Sequence, residues 1–284
     1  MKYADLHIHT KFSDGTFEPA EIVTQARQAG LDCIAITDHD SVDAIAPALS
    51  CALCLNIEVI PGIELTCEMN DCEIHILGYC IDWQTRWFRD KLEQIRRVRR
   101  DRAGAIIKKL QAVGINLDGD KLLEETKPAT AIGRLHIARM LEREGFVSSI
   151  KEAFFRYIGE GKSCYVKKYK LTPKEAITMI NRLNGLSVLA HPHKIGSDSL
   201  ILEFARLGLR GIEGYYPEYN ADITEHYQRI AQKHGLLVTG GSDYHGLGES
   251  RTALGGVQVP YICVEKLKAE AAARKNQNAA GVKK

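Results

Sequence analysis

The chain has 284 residues, enough for one large domain or a domain with an insertion, and its 45% hydrophobic and 26% charged content is ordinary for a globular protein. A formal net charge of +2 excludes an overall polyelectrolyte attraction to nucleic acid or membrane, although Arg96, Arg97, Arg99, Arg100 and Arg102 crowd one short segment. No apolar run is long enough to span a bilayer and the first residues lack a signal-peptide pattern, so a cytoplasmic location without membrane contact is expected.

Residues 3–8 read as a strand that ends in Asp5-Leu6-His7-Ile8-His9-Thr10. Side chains two apart leave a strand on the same face, so His7 and His9 can reach one metal ion. Residues 19–29 read as a helix stopped by Gly30, 33–37 as a strand, 42–53 as a helix, and 58–61 and 73–78 as strands. This alternation predicts a parallel sheet with its site at the strand ends. From about residue 84 to 159 the pattern changes to helices, over 88–110, 134–144 and 146–159, and no metal-ligand motif lies there. These helices are read as an inserted subdomain over 99–161, with a barrel domain formed by 1–98 and 162–284. Strands are predicted again at 186–190, 211–215 and 237–240, separated by helices at 173–183, 199–207 and 223–234. The tail from Arg274 is polar and expected to fray. Eight irregularly spaced cysteines, Cys51-Ala-Leu-Cys54 among them, read as reduced thiols because no second ligand pair lies near.

The strand ends carry more than two histidines. Asp14, Thr37-Asp38-His39-Asp40, Gly62-Ile63-Glu64, His75, His191 and Gly241-Ser242-Asp243-Tyr244-His245 follow in order. Taken singly, His75 is as well explained as a core histidine and His39 as part of a helix cap. Taken together, so many imidazoles and carboxylates exceed the needs of one ion. They suit Mn²⁺, Zn²⁺ or Fe²⁺ in a cluster of two or three, with Glu64 as a bridge. His226 and His234 lie on a helical surface pattern outside this set, and His193 is given no catalytic role.

The ordered motifs D-L-H-I-H-T, S-D-G, T-D-H-D, G-I-E, H-I-L-G, A-H-P and G-S-D-Y-H resemble the PHP (polymerase and histidinol phosphatase) family of metal-dependent phosphoesterases. The resemblance implies a distorted (β/α)₇ barrel with two or three divalent ions, Mn foremost and Zn or Fe as alternatives. Carried over by motif, His7, His9, Glu64 and Asp243 would hold one ion, Glu64, His75 and His191 a second, and Asp14, His39 and His245 a third. Asp14 stands where some members have histidine. The chain is most similar to the branch that hydrolyses nucleoside 3′,5′-bisphosphates and trims short RNA from its 5′ end (the RNase AM type), which has a helical insertion and motifs like Gly133-Arg134-Leu135-His136-Ile137-Ala138-Arg139.

The expected reaction is hydrolysis of a phosphomonoester of a nucleoside 3′,5′-bisphosphate, such as 3′-phosphoadenosine 5′-phosphate, by a metal-bridging hydroxide. Arg96, Arg99 and Arg102 recur at i+3 on one helix face, and guanidinium forks bind phosphate in bidentate fashion. Alone, such a face reads as solvated surface; the resemblance implies instead that Arg99, Arg102, Arg134 and His136 meet the substrate, with Lys194 near the scissile phosphate. Asp40 is expected as a general acid or as the group that orients His39. Tyr215-Tyr216-Pro217 offers either base stacking or packing at the barrel end. The alternatives are a 5′-3′ exoribonuclease on short RNA using the same site, a histidinol-phosphate phosphatase, and a non-catalytic, metal-stabilised binding module. No obligate protein partner is implied.

Overall fold

The computed structural model describes residues 1–70, 72–126, 129–167, 171–246 and 252–281. Seven strands, β1 (Tyr3–Ile8), β2 (Cys33–Ile36), β3 (Glu58–Met69), β4 (Cys72–Tyr79), β5 (Leu186–Leu189), β6 (Gly211–Tyr215) and β7 (Leu237–Gly240), pair in chain order. A two-residue strand, β8 (Val259–Pro260), pairs antiparallel with the outer side of β1. The sheet curls until its ends meet. Past β7 the chain lies against β1, where the His9 N–H donates to the Tyr244 carbonyl at 2.9 Å and the Ser242 N–H to Asp5 at 2.9 Å. The result is a distorted α/β barrel, as the motifs implied.

Not all of its strands are parallel. β3 and β4 form an antiparallel ladder from Gly62↔Tyr79 to Met69↔Cys72, and β4 with β5 is antiparallel too. The cause is connection length. Only residues 70–71 separate β3 from β4, and a parallel pair needs a crossover of a dozen residues or more. Asn70 takes the left-handed φ of 52° that a tight reversal demands. β3 consequently runs eight residues beyond the short strand expected at 58–61, and Glu64 lies within it.

Helices α1 (Pro19–Gln28) and α2 (Ile45–Leu55) cover the first strands. Between β4 and β5 come α3 (Arg86–Ala112), α4 (Gly119–Glu125), α5 (Arg134–Arg143) and α6 (Ile150–Ala153), the last running into a π-helical turn at Phe154–Ile158. Helices α7 (Pro173–Arg182), α8 (Asp198–Arg206), α9 (Ala221–His234) and α10 (Tyr261–Gly281) complete the layer. α7 starts where Thr172 and Glu175 cap each other's backbone N–H and Pro173 supplies a ready-made helical φ. α10 carries the polar tail in helix as far as Gly281 rather than letting it fray at Arg274. No helix among the described residues is long and apolar enough to cross a membrane.

The long helix α3 joins two cores. Its first half buries Phe88, Leu92 and Ile95 among the barrel's Ile63, Leu65, Ile76 and Ile177. Its second half buries Ala103, Ile106, Ile107 and Leu110 with Ile137, Met140 and Leu141 of α5. The helix thus passes unbroken through residues 98–99, where the subdomain boundary was expected. Such continuity fixes the inserted helices to the barrel rim by apolar packing.

Candidate metal centre and arginine cleft

The barrel brings all nine expected ligand residues together from six strand ends or strands. His7 and His9 end β1, Asp14 follows it, His39 follows β2, Glu64 lies in β3, His75 in β4, His191 after β5, and Asp243 and His245 after β7. Glu64 is the hub. One of its oxygens lies 3.3 Å from His7 Nε2, 3.2 Å from His9 Nε2 and 3.2 Å from His39 Nδ1. The other lies 2.8 Å from His75 Nδ1 and 3.4 Å from His191 Nε2. Asp243 Oδ1 sits 3.4 and 3.2 Å from His7 and His9, and Asp14 Oδ1 sits 3.4 Å from His245 Nε2.

Donor atoms close enough to share an ion form three groups among the described residues: His9, Asp14, His39 and His245; His7, His9 and Asp243; and His39, Glu64 and His75. The grouping differs in detail from the motif-based sets, because His9 also reaches the Asp14 group and His39 also reaches Glu64. These rings interleave where the motifs alone suggest separate clusters.

The donor set fits divalent ions. His7 Nε2, His9 Nε2 and Asp14 Oδ1 are buried without a hydrogen-bond partner, although carboxylate and imidazole atoms face one another there at 3.2–3.4 Å. Buried polar atoms are normally paired, so lone pairs converging on common points without mutual hydrogen bonds are arranged as ligands are. Charge supports the same reading. Burial opposes charge on His9, but Asp243, Glu64 and Asp14 outweigh it and hold its pKa at about 10. Burial likewise opposes charge on His75, and Glu64 and Glu73 hold it at about 9. His39 and His191, where burial dominates, fall to about 3 and about 4. Glu64, Asp14 and Asp243 stay well below the usual carboxylate range because the surrounding imidazoles outweigh their burial. A site that holds its carboxylates ionised and draws protons onto His9 and His75 is one that calls for positive charge.

A second layer of polar groups fixes the rings, and sequence reasoning missed most of it. Glu213 of β6 is fully buried. One of its oxygens meets His7 Nδ1 at 2.9 Å and the other accepts the His191 backbone N–H at 2.7 Å. A donor at Nδ1 leaves His7 Nε2 with its lone pair facing the cluster. The same carboxylate holds His191 at its left-handed φ of 30°, a conformation that costs non-glycine residues on the order of 1 kcal/mol. The only sequence signal was a lone Glu in the apolar strand Gly211-Ile212-Glu213-Gly214-Tyr215. Asp38 accepts from Thr10 and Ser13, bracing the loop that carries Asp14, and Tyr216 donates to Asp243 at 2.7 Å.

Asp40 is placed differently from expectation. Its carboxylate accepts from Arg99 Nε at 2.8 Å, from Arg99 Nη2 and from the Thr66 N–H at 3.2 Å. His39 Nδ1 faces Thr66 and Glu64 instead. Asp40 therefore anchors the insertion helix rather than orienting His39. Arg99 is correspondingly committed, since it also donates to Thr66 Oγ1 and the Ile132 carbonyl. Burial disfavours its charge, but Asp40 more than compensates.

Arg102 and Arg134, with the Asp40-bound Arg99 beside them, face a cleft of about 120 Å³ that Asp14, His39, Thr66, Glu73 and Phe154 also line. Arg102 uses its Nε on the Val166 carbonyl at 2.8 Å, and the Tyr165 ring packs against both guanidiniums. Burial, and then the nearby Arg134, push Arg102 down to about 10. Two guanidiniums crowded over one polar cleft make an anion-binding geometry.

Of the two other expected contacts, His136 falls elsewhere. His136 Nδ1 accepts the Gly133 N–H and its ring lines a separate cavity with Lys11, Thr16 and Arg139, because α5 needs a cap at that turn. Lys194 donates to the Tyr216 hydroxyl at 3.0 Å, and that hydroxyl donates to Asp243, which places Lys194 beside the metal centre. Tyr216, open to base stacking by sequence, is only 3% exposed and is occupied by these contacts.

Imidazoles and carboxylates sharing a central glutamate, beside an anion cleft at a barrel mouth, belong to metal-dependent phosphoesterases. Comparison with known proteins places the chain more narrowly. The PHP domain model matches residues 5–238, and the chain belongs to the PHP domain family. It is 30% identical over 269 residues to a 3′,5′-nucleoside bisphosphate phosphatase of Chromobacterium violaceum, a match covering 93% of this chain and 94% of that one. It is 33% identical over 251 residues to a 5′-3′ exoribonuclease of Haemophilus influenzae, covering 86% and 90%. A structure assigned to a metal-dependent phosphoesterase from Bifidobacterium adolescentis superposes with a TM-score of 0.87 at 28% identity, covering 95% of this chain and 96% of that one.

Proposed function

We propose that this phosphoesterase removes a phosphate from nucleoside 3′,5′-bisphosphates such as 3′-phosphoadenosine 5′-phosphate. The observation that carries this reading is the pair Arg102 and Arg134 in a cleft that shares Asp14 and His39 with the metal centre. One phosphate would sit at the centre while the second is clamped by the guanidiniums. The similarity to a nucleoside bisphosphate phosphatase supports the same substrate class.

His7, His9, Asp14, His39, Glu64, His75, His191, Asp243 and His245 would hold two or three divalent ions, Mn²⁺ foremost and Zn²⁺ or Fe²⁺ as alternatives. Such ions supply activated water at neutral pH and neutralise charge on phosphoryl oxygens. The protein's own groups do the rest. Glu213 fixes the tautomer of His7, and Tyr216 with Lys194 holds Asp243 in place. Arg102 and Arg134 bind the phosphate that does not react, and that remote binding energy orients the one that does. Asp40 and Arg99 tie α3 to the barrel, so the inserted helices, residues 99–161, would act as a lid whose inner wall is the cleft.

Arg134→Ala and Arg102→Ala test the clamp. Each should lower kcat/KM for the bisphosphate about 10- to 100-fold, the loss of a charge-assisted hydrogen bond, and leave a simple monophosphate ester nearly unaffected. Equal losses on both substrates would remove the second anion from the reading. A second reading, 5′-3′ exonuclease action on short RNA, uses the same two phosphate positions and is supported by the similarity to the exoribonuclease.

A further inference from the structure

A cleft of about 120 Å³ takes a phosphate and part of a sugar, whereas sites that enclose a whole small molecule run to about 300 Å³ or more. The nucleobase of a bound nucleotide must then lie outside it. Among the aromatic rings nearby, Tyr165 is packed against the two guanidiniums, Phe154 lies under Arg134 and Tyr216 is buried. Phe155 is the exception. It is 72% exposed, the one phenylalanine among the exposed large apolar side chains of the described residues.

Phe155 follows Phe154, a wall of the cleft, and because successive residues of a helical turn point roughly 100° apart its ring leaves that wall for solvent instead of lining the cleft. Both belong to the π-helical turn Phe154–Ile158, closed by the Gly159 N–H donating to the Phe154 carbonyl at 2.9 Å. Such turns are rare and recur at functional sites. The Lys162 ammonium lies 4.8 Å from the centre of the Phe155 ring. An exposed ring with a cation beside it is how single-strand binding proteins hold a base and its phosphate. A phenylalanine this exposed belongs to no packed core, and its loss should leave the core intact.

We propose that Phe155, with Lys162, is the platform on which the nucleobase stacks while Arg102 and Arg134 hold that nucleotide's distal phosphate. Phe155 would then make the site selective for nucleotides over other bisphosphates. The proposal rests on the substrate reading above and adds the base to it. A flat ring face accepts any base, so purines should be favoured only by their larger stacking area.

The test compares wild type, Phe155→Ala and Phe155→Trp on 3′-phosphoadenosine 5′-phosphate and on the abasic tetrahydrofuran 3,5-bisphosphate. Phe155→Ala should lose about tenfold in kcat/KM on the nucleotide, mainly through KM, and nothing on the abasic compound; Phe155→Trp should retain the nucleotide activity. Equal losses on both compounds, or none on either, would overturn the platform. If wild type hydrolyses neither compound, the substrate reading fails, and binding decides the platform separately. With 2-aminopurine riboside 3′,5′-bisphosphate as the probe, fluorescence quenching by wild type and its loss in Phe155→Ala support stacking. The same quenching in both, or in neither, overturns it.

Discussion

Glu213 shows how much of the centre depends on a residue that touches no substrate. Its two oxygens accept from His7 Nδ1 and the His191 N–H, so both positions require an acceptor. Glutamine has the same shape but offers only one. In Glu213→Gln either a donor faces the His191 N–H, or His7 must take the other tautomer and turn an N–H towards the cluster. Second-layer partners of this kind contribute about 10- to 100-fold in metal affinity. Glu213→Gln should therefore fold, yet bind Mn²⁺ at least tenfold more weakly in a chelator competition; unchanged affinity would show that His7 needs no such anchor. The ligand residues themselves were legible in the sequence because each is an unusual side chain at a strand end, repeated in a fixed order. Glu213 and the Arg99–Asp40 contact were not, since one is a lone acid in an apolar strand and the other joins residues 59 apart.

At the scale of elements, the barrel closes through the segment after β7, and Gly241 packs its backbone directly against β1. A Cβ there would lie 2.4 Å from the His7 nitrogen and 2.7 Å from Asp5 Oδ1. Gly241→Ala should destabilise the protein by roughly 1–3 kcal/mol, the usual cost of overpacking, and displace His7 enough to reduce bound metal. A thermal melt and metal analysis check both; an unshifted melt would mean that the closure yields easily. The strands at 3–8, 211–215 and 237–240 stand where the apolar pattern put them, because each is mostly apolar, at least half-buried and bounded by turn residues. The antiparallel β3–β4 ladder escaped because eight of the twelve β3 residues lie beyond the run at 58–61. The helix expected over 146–159 is instead a short α6 and a π-helical turn, a distinction that apolar spacing does not encode.

The whole molecule carries the charge logic of its centre. His39 and His191, at about 3 and about 4 against an ordinary 6.5, are held neutral in the fold, so metal-free protein should lose stability as pH falls below 6.5. The depressed carboxylates contribute stability above their ordinary range, and it is lost as acid protonates them. His75 and His9, raised to about 9 and about 10, stabilise fully below 6.5 and lose that contribution as pH climbs through those values. Without metal, stability should therefore peak near pH 6.5 and fall steadily from there to about 10. Divalent ions replace protons and should lift the alkaline limb most. Melts from pH 5 to 10, with and without chelator, should diverge increasingly above about pH 6.5, and superimposable curves would contradict a metal-holding cluster.

The most direct test of a metal centre paired with a distal phosphate clamp is phosphate release after Mn²⁺ reconstitution, compared for 3′-phosphoadenosine 5′-phosphate, a plain mononucleotide and a 5′-phosphorylated RNA dinucleotide. Rapid release from the bisphosphate, abolished by chelator and far slower from the mononucleotide, is the expected result. Equal rates on bisphosphate and mononucleotide would contradict the clamp, and metal-loaded protein inert towards all three would contradict the proposed substrate class itself.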